Sequence, residues 1–260
     1  MTAAYTPELI ISSKDAIAAL KGDDNQLRYY AAWWLGKHQV PEGCDALCDA
    51  LKDERYRTVQ GGYPLRRQAA RAIGQLKNPQ AVPALLEALN SEDIQLREAV
   101  IQTLAAIGDE RAIQPLLALL QSNQEQPLEA LIEALGTLQV WSVHQQIEHF
   151  LTHHSERVQC AAARYLYLYT QEPQYIERII KNLSHENMYL RWAAAFDLGA
   201  IGYLEAAQAI TNAKIGNSLK LLNLKRIIET ILSSDRLTEA EKQEKTGMIF
   251  NKIDDLLIQL

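Results

Sequence analysis

The sequence predicts an all-α chain built from stacked helix pairs. Three observations lead there. One ten-residue pattern recurs six times at nearly constant spacing. Each copy follows a second stretch whose apolar residues fall at helical intervals. No run alternates apolar and polar residues over strand length. The copies are LRYYAAWWLG (Leu27–Gly36), LRRQAARAIG (Leu65–Gly74), LREAVIQTLA (Leu96–Ala105), PLEALIEALG (Pro127–Gly136), VQCAAARYLY (Val158–Tyr167) and LRWAAAFDLG (Leu190–Gly199). Their first residues lie 38, 31, 31, 31 and 32 apart, and the long first interval holds an extra seven-residue loop, Thr58–Pro64 (TVQGGYP). A two-helix unit of this length cannot cover its own apolar face, so neighbours must stack and bury it. The expected fold is a solenoid of about six to seven helix pairs over 1–233, closed by a capping helix of the same domain over 234–260.

The elements follow in order. Glu8–Leu20 supplies the first outer helix, and Leu27–Gly36 is its inner partner. The outer stretches are clearest at Ala81–Leu89 (AVPALLEAL) and Ala112–Leu120 (AIQPLLALL), each separated from the next inner helix by a polar turn such as Ser91-Glu92-Asp93. Alanine pairs, among them Ala31-Ala32, Ala69-Ala70, Ala162-Ala163 and Ala194-Ala195, mark slots where helix axes approach closely. Lys220–Leu232 stays helical but loses those slots, as the end of a stack should. Thr238–Leu260 reads as an amphipathic closing helix with Met248, Ile249, Ile253, Leu256, Leu257 and Leu260 on one face.

Composition sets outer limits. In 260 residues, 32 Asp+Glu against 26 Lys+Arg give a net charge of −6, which opposes a non-specific nucleic-acid binder. Three cysteines make no disulfide framework, so a reducing, cytoplasmic location is expected. No apolar run reaches membrane-spanning length, and Met1 to Ile11 lacks the basic-then-apolar order of a signal peptide.

The repeat pattern resembles HEAT-like repeats, specifically the short phycobilisome-lyase variety, over nearly the whole chain. The resemblance implies that the helix with the Leu-Arg…Ala-Ala…Leu-Gly pattern lines the concave side. With the first residue of each copy as slot 0, slots 0, 4, 5, 7 and 8 are mostly apolar or small and face inward. Slots 2 and 6 are one helical turn apart on one stripe. They hold Tyr29 and Trp33, Arg67 and Arg71, Glu98 and Gln102, Glu129 and Glu133, Cys160 and Arg164, then Trp192 and Phe196. Both ends of this stripe are aromatic, a basic pair follows the first, and the centre is acidic. Such a surface suits a large, flat, apolar ligand or a partner protein. The alternative is that the rings fill gaps between repeats. Slot 1 carries Arg28, Arg66, Arg97 and Arg191, with Asp24, Asp53 and Asp93 in preceding turns. In HEAT-like folds such residues form a structural ladder between repeats, so Arg67 and Arg71, off that ladder, are the better ligand candidates.

Other motifs fail. Cys44-x3-Cys48 is a helical pair rather than a zinc knuckle, and Cys160 sits in a groove slot with nothing to mark it as activated. His149 and His153 lack the Glu of a zincin helix, so no metal is expected. Two HEAT-type enzyme classes are set aside. The di-iron hydroxylases need several His-Glu pairs, where only His185-Glu186 occurs, and the DNA glycosylases need a basic groove.

Two stretches narrow the family: Arg28–Gly36 (RYYAAWWLG) and Asp53–Gly74 (DERYRTVQGGYPLRRQAARAIG) with its Gly-Gly-Tyr-Pro insertion. With QPLEALIEALGTL (Gln126–Leu138), SERVQCAAARY (Ser155–Tyr165), LRWAAAFDLGAIGYLEAAQAI (Leu190–Ile210) and NSLKLLNLKRIIE (Asn217–Glu229), they resemble the E subunit of the heterodimeric E/F phycobilin lyases of cyanobacteria and red algae. The resemblance implies an F-type partner, an open-chain tetrapyrrole as substrate rather than a resident cofactor, and a phycobiliprotein α-subunit cysteine as thioether acceptor. One branch attaches phycocyanobilin to phycocyanin. The other attaches it to phycoerythrocyanin and isomerises it to phycoviolobilin. The short linker at Ser122–Gln126 tilts this chain toward the second. In that frame Arg67 and Arg71 are expected at the propionates, and Tyr29, Trp33, Trp192 and Phe196 on the rings. Glu98, Glu129, Glu133 or Tyr29 are candidates to handle protons. Gly61 and Gly62 make the adjacent loop a candidate lid. A non-catalytic carrier of bilin or phycobiliprotein, or a general HEAT scaffold, is the competing reading.

Overall fold

A computed structural model describes residues 10–258 except 236, and every described element is helical. The helices alternate as the repeat predicts. Up to Val140 the pairs are α1 (Ser13–Leu20) with α2 (Asn25–Lys37), α3 (Cys44–Lys52) with α4 (Pro64–Leu76), α5 (Val82–Ala88) with α6 (Ile94–Ile107), and α7 (Ile113–Leu120) with α8 (Leu128–Thr137). From Trp141 on they are α9 (His144–Glu148) with α10 (Glu156–Thr170), α11 (Pro173–Asn182) with α12 (Met188–Ile201), and α13 (Ala206–Asn212) with α14 (Asn217–Leu232), followed by α15 (Glu239–Ile258). The chain divides at that point into two compact units, Met1–Val140 and Trp141–Leu260. The sequence reading of one solenoid plus a cap contains no such break.

Local chemistry fixes the helix ends. Asp24 and Asp93 cap α2 and α6, each taking two backbone N–H groups on Oδ1, and Asn187 caps α12. Pro64 opens α4, where a missing N–H costs nothing. The first outer helix begins at Ser13 with Ser12 as its cap, later than the expected Glu8, and Glu8 and Leu9 lie outside the described residues. The closing helix also differs. Ile249 and Leu256 are buried and Ile253 packs beside them, whereas Met248 and Leu257 are each 49% exposed. Both lie about 100° of helical rotation from their buried neighbours, so the true seam is narrower than the apolar pattern. Leu260 is outside the described residues.

The inner helices of each unit pack side by side with their slots in register. Slots 4, 5 and 8 are buried in all six copies. The glycine at slot 9 explains the close approach. A Cβ on Gly36 would lie 2.8 Å from the Ala72 backbone, one on Gly74 would lie 2.9 Å from Thr103 Oγ1, and one on Gly199 would lie 3.1 Å from Asn223 Cβ. Slot 9 of one repeat therefore faces the following inner helix. Across the same seam Thr103 Oγ1 donates to Ala70 O at 2.8 Å.

The slot-1 arginines are held chiefly by backbone carbonyls at helix ends and in the turns between helices, rather than by a run of aspartates. Arg28 donates to Leu20 O at 3.0 Å and pairs with Asp53. Arg66 reaches Leu51 O at 2.7 Å, Arg97 reaches Ser91 O and Glu125 O at 2.6 Å each, and Arg191 takes His185 O, Glu186 O and Lys214 O. Cations suit helix C-termini, where carbonyls lack intrahelical partners. Asp24 is spent on its own cap, and Asp93 pairs with Arg67 from slot 2 instead.

A Gly199→Ala chain should lose about 1–3 kcal/mol in urea denaturation through overpacking against Asn223, while Gly247→Ala, inside α15 with open space around it, should be neutral or slightly stabilising. Asp93→Ala should cost about 3 kcal/mol by leaving Arg67 half-buried and unpaired. Acid should weaken the fold in a defined window. Burial opposes the charge on Asp53, yet hydrogen bonds from Arg55 and Arg28 outweigh it and hold the carboxyl at about 2, below its usual 3.8. Its stabilisation is complete above pH 3.8 and is lost as pH falls from there toward 2. Asp93 is lowered in the same direction. Urea midpoints measured down this range should fall more steeply for the unsubstituted chain than for Asp53→Asn.

Candidate functional site

In the first unit α2, α4, α6 and α8 are successive neighbours, so their slot-2 and slot-6 residues line one face. Tyr29 and Trp33 are both 39% exposed on α2. Trp33 stacks on Tyr30 with ring centroids 5.3 Å apart, and Tyr30 is itself exposed. Tyr30 occupies slot 3, outside the stripe read from sequence, and joins it only because the rings stack. On α4, Arg71 is exposed, with no ion pair or hydrogen bond among the described residues. Glu98 and Gln102 follow on α6, their side chains 3.5 Å apart, and Glu129 and Glu133 are half-buried on α8.

Arg67 behaves differently from the expectation. It is not off the ladder. Its Nε and Nη2 both donate to Asp93, at 2.7 Å each, and Nη1 donates to Gln95. Asp93 also accepts the backbone N–H of Tyr63 at 2.9 Å and those of Gln95 and Leu96. One buried carboxylate thus ties α4, α6 and the Thr58–Pro64 insertion together. The physical reason is reach. Slot 2 of α4 faces the N-terminus of α6, where the cap Asp93 presents both oxygens to a forked guanidinium.

The insertion is not a loose flap. Thr58 N–H donates to Gly62 O at 2.8 Å, Gly61 N–H to Thr58 O at 2.9 Å, and Gly62 N–H to Thr58 Oγ1 at 3.0 Å. Gly61 supplies the left-handed turn (φ 85°) and Gly62 leaves room for the Arg67 guanidinium against its backbone. Tyr63 is buried, with Arg66 and Arg57 over its ring at 4.8 and 5.5 Å. A cleft of about 620 Å³ opens between this turn and the start of α6.

In the second unit Trp192 and Phe196 are exposed on α12. Tyr189, 69% exposed, stands edge-on to Trp192 at 5.7 Å, and Arg226 lies over Phe196 at 5.7 Å. Neither Tyr189 nor Arg226 was legible from the repeat, because one precedes slot 0 and the other comes from the next helix. Cys160 is fully buried, accepts a hydrogen bond from Asn182 at 3.1 Å, and burial pushes its thiol up to about 11. Slot 2 therefore does not open to the surface in this copy. Tyr165 is buried against Trp141, and of the cluster Trp141, Tyr165, Tyr167 and Tyr169 only the last is exposed. Among the described residues no group of three or more His, Cys, Asp or Glu side chains is placed to hold a metal ion.

The arrangement offers stacked aromatic rings, an unpaired cation and carboxylates, without an activated nucleophile among the cysteines: Cys48, like Cys160, is raised by burial, to about 12. Such a surface is suited to holding and orienting a flat anionic molecule.

Comparison with known proteins agrees with the repeat reading. Residues 63–136 match the HEAT repeats model, and 27–53 and 190–215 match the PBS lyase HEAT-like repeat. The chain is 67% identical to the bilin biosynthesis protein PecE of Mastigocladus laminosus over the full length of both, and 68% identical to PecE of Nostoc sp., covering 98% of this chain and all of that one. It is 45% identical to a phycocyanobilin lyase subunit alpha of Nostoc sp., covering 97% and 94%. A chain in the solved complex of CpcE and CpcF of phycocyanin lyase from Nostoc sp. matches with a TM-score of 0.83 at 43% identity, covering 98% of each. In repeat register, inner-helix packing and sequence alike, this chain belongs to the phycobilin lyase E-type (alpha) subunit family.

Proposed function

We propose that the chain is the E-type subunit of a heterodimeric bilin lyase, acting in the cytoplasm with an F-type partner. It attaches phycocyanobilin to a cysteine of a phycobiliprotein α subunit. The observation that carries this reading is the first-unit face, where the Tyr30–Trp33 stack and Tyr29 stand beside the unpaired Arg71 on the neighbouring helix. An open-chain tetrapyrrole has an apolar edge and flat rings for the aromatic groups, and propionates for the cation. No helix of the described residues is long and apolar enough to cross a membrane.

The chemistry asks little of the lyase side chains. The acceptor thiol adds across the ethylidene double bond, so that sulfur joins the side-chain carbon and a proton joins the ring carbon. No group leaves and no oxidant is needed. The lyase must hold the bilin in one orientation, which converts much of the entropic barrier into binding. A carboxylate of Glu98, Glu129 or Glu133, or the Tyr29 hydroxyl, is the candidate to assist the proton. Trp192 and Phe196 supply a second aromatic surface in the other unit. Identity of 67–68% to two PecE proteins, against 38–45% to phycocyanobilin lyase alpha subunits, supports the phycoerythrocyanin branch expected from the short linker.

Co-expression with an F-type subunit, an α subunit and phycocyanobilin should give a covalent adduct that is absent when this chain is omitted. Its absorption should be that of phycoviolobilin; a phycocyanobilin spectrum would place the chain in the other branch. Bilin bound without adduct would support the carrier reading instead. In the same assay Trp33→Ala and Arg71→Gln should each lower adduct yield about tenfold; Arg71→Gln should leave the urea midpoint unchanged, whereas Trp33→Ala should also lower it through loss of the ring packed on Tyr30.

A further inference from the structure

The first unit contains eight arginines, and six of them, Arg28, Arg55, Arg66, Arg67, Arg97 and Arg111, have hydrogen-bonded or ion-paired guanidinium groups. Arg71 and Arg57 are the exceptions among the described residues. Arg57 is not an arbitrary surface side chain. Its guanidinium lies over the buried Tyr63 ring, its backbone leads into the hydrogen-bonded Thr58–Gly62 turn, and it lines the 620 Å³ cleft beside α6. We propose that Arg57, immediately before the Thr58–Pro64 insertion, is a carboxylate-binding residue of the bilin site, in the role expected of Arg67.

The structure supports this assignment through charge and placement. Arg67 is committed to Asp93 by two hydrogen bonds of 2.7 Å, and freeing it would strand a buried carboxylate. That same pair neutralises Asp93, so it cancels the carboxylate nearest the cleft. Glu92, on the rim, is exposed and screened by water. Arg57 keeps its donors available, and the Tyr63 ring beneath limits the freedom it must give up on binding. Geometry also links it to Arg71. Tyr63 and Arg71 are eight residues apart at the start of α4, about 12 Å along the axis. With Arg57 over the Tyr63 ring at one end of that span and Arg71 at the other, the two guanidinium groups can serve the two carboxylates of one linear tetrapyrrole. The insertion, which lengthens only the first repeat interval, thereby gains a purpose beyond closing the chain.

This inference rests on the bilin-binding reading above, and its test separates the two. The complex with the F-type partner would be titrated with phycocyanobilin as free acid and as dimethyl ester, followed by absorbance. Arg57→Gln should weaken the acid about tenfold and leave the ester unchanged, and Arg57→Lys should recover most of the loss. Equal affinity of the parent and Arg57→Gln for the acid would overturn the assignment, as would equal losses for acid and ester, which would mean a loop of altered shape. A parent complex that binds neither form would remove the bilin reading itself.

Discussion

The distance between successive inner helices is the constraint on which the rest depends. Where slot 9 is glycine, the next helix comes close enough that a single methyl group would collide with Ala72, Thr103 or Asn223. Close contact at one point on each helix also fixes its rotation. With rotation fixed, slots 4, 5 and 8 turn into the core in every repeat, and in most repeats slots 2 and 6 are left facing out. A larger side chain at slot 9 would therefore do more than loosen packing. It would turn the stripe that carries Tyr29, Trp33 and Arg71.

Arginine plays two separate roles in this fold. At slot 1 it donates to backbone carbonyls at helix ends and in the turns between helices, and the buried Arg28, Arg66 and Arg97 are held there. Arg67 belongs with them, although its slot differs, because Asp93 lies within its reach. Arg57 and Arg71 remain outside this structural set. In a chain of net negative charge, cations without acidic partners are the groups most available to an anionic ligand. The Asp93 hub keeps both in place: it fixes the turn that follows Arg57 and the helix that bears Arg71.

How much the sequence reveals depends on whether a residue's environment repeats. Alternation of helices, the slots of the core and the outward direction of Tyr29, Trp33, Glu98, Trp192 and Phe196 all follow from one pattern read six times. Residues outside that register were not accessible to it. Tyr30 and Tyr189 join the aromatic surface through ring contacts, and Arg57 through its contact with Tyr63 of an insertion present in only one interval. Met248 and Leu257 looked like core because they are apolar, yet the seam of α15 is too narrow to take them.

Fold class, the pairing of helices and the family are all readable from the chain alone, because periodicity and close packing act locally and repeat. Which charges are spent and which are free is settled instead by packing between distant segments. Arg67 and Arg71 are one turn apart in the same helix and look equivalent in the sequence. Only the position of Asp93 on the neighbouring helix separates them, and a partner contributed from 26 residues away leaves no trace in the local pattern. Cys160 differs from the other slot-2 residues for the same reason: packing against Asn182 of α11 closes over its thiol.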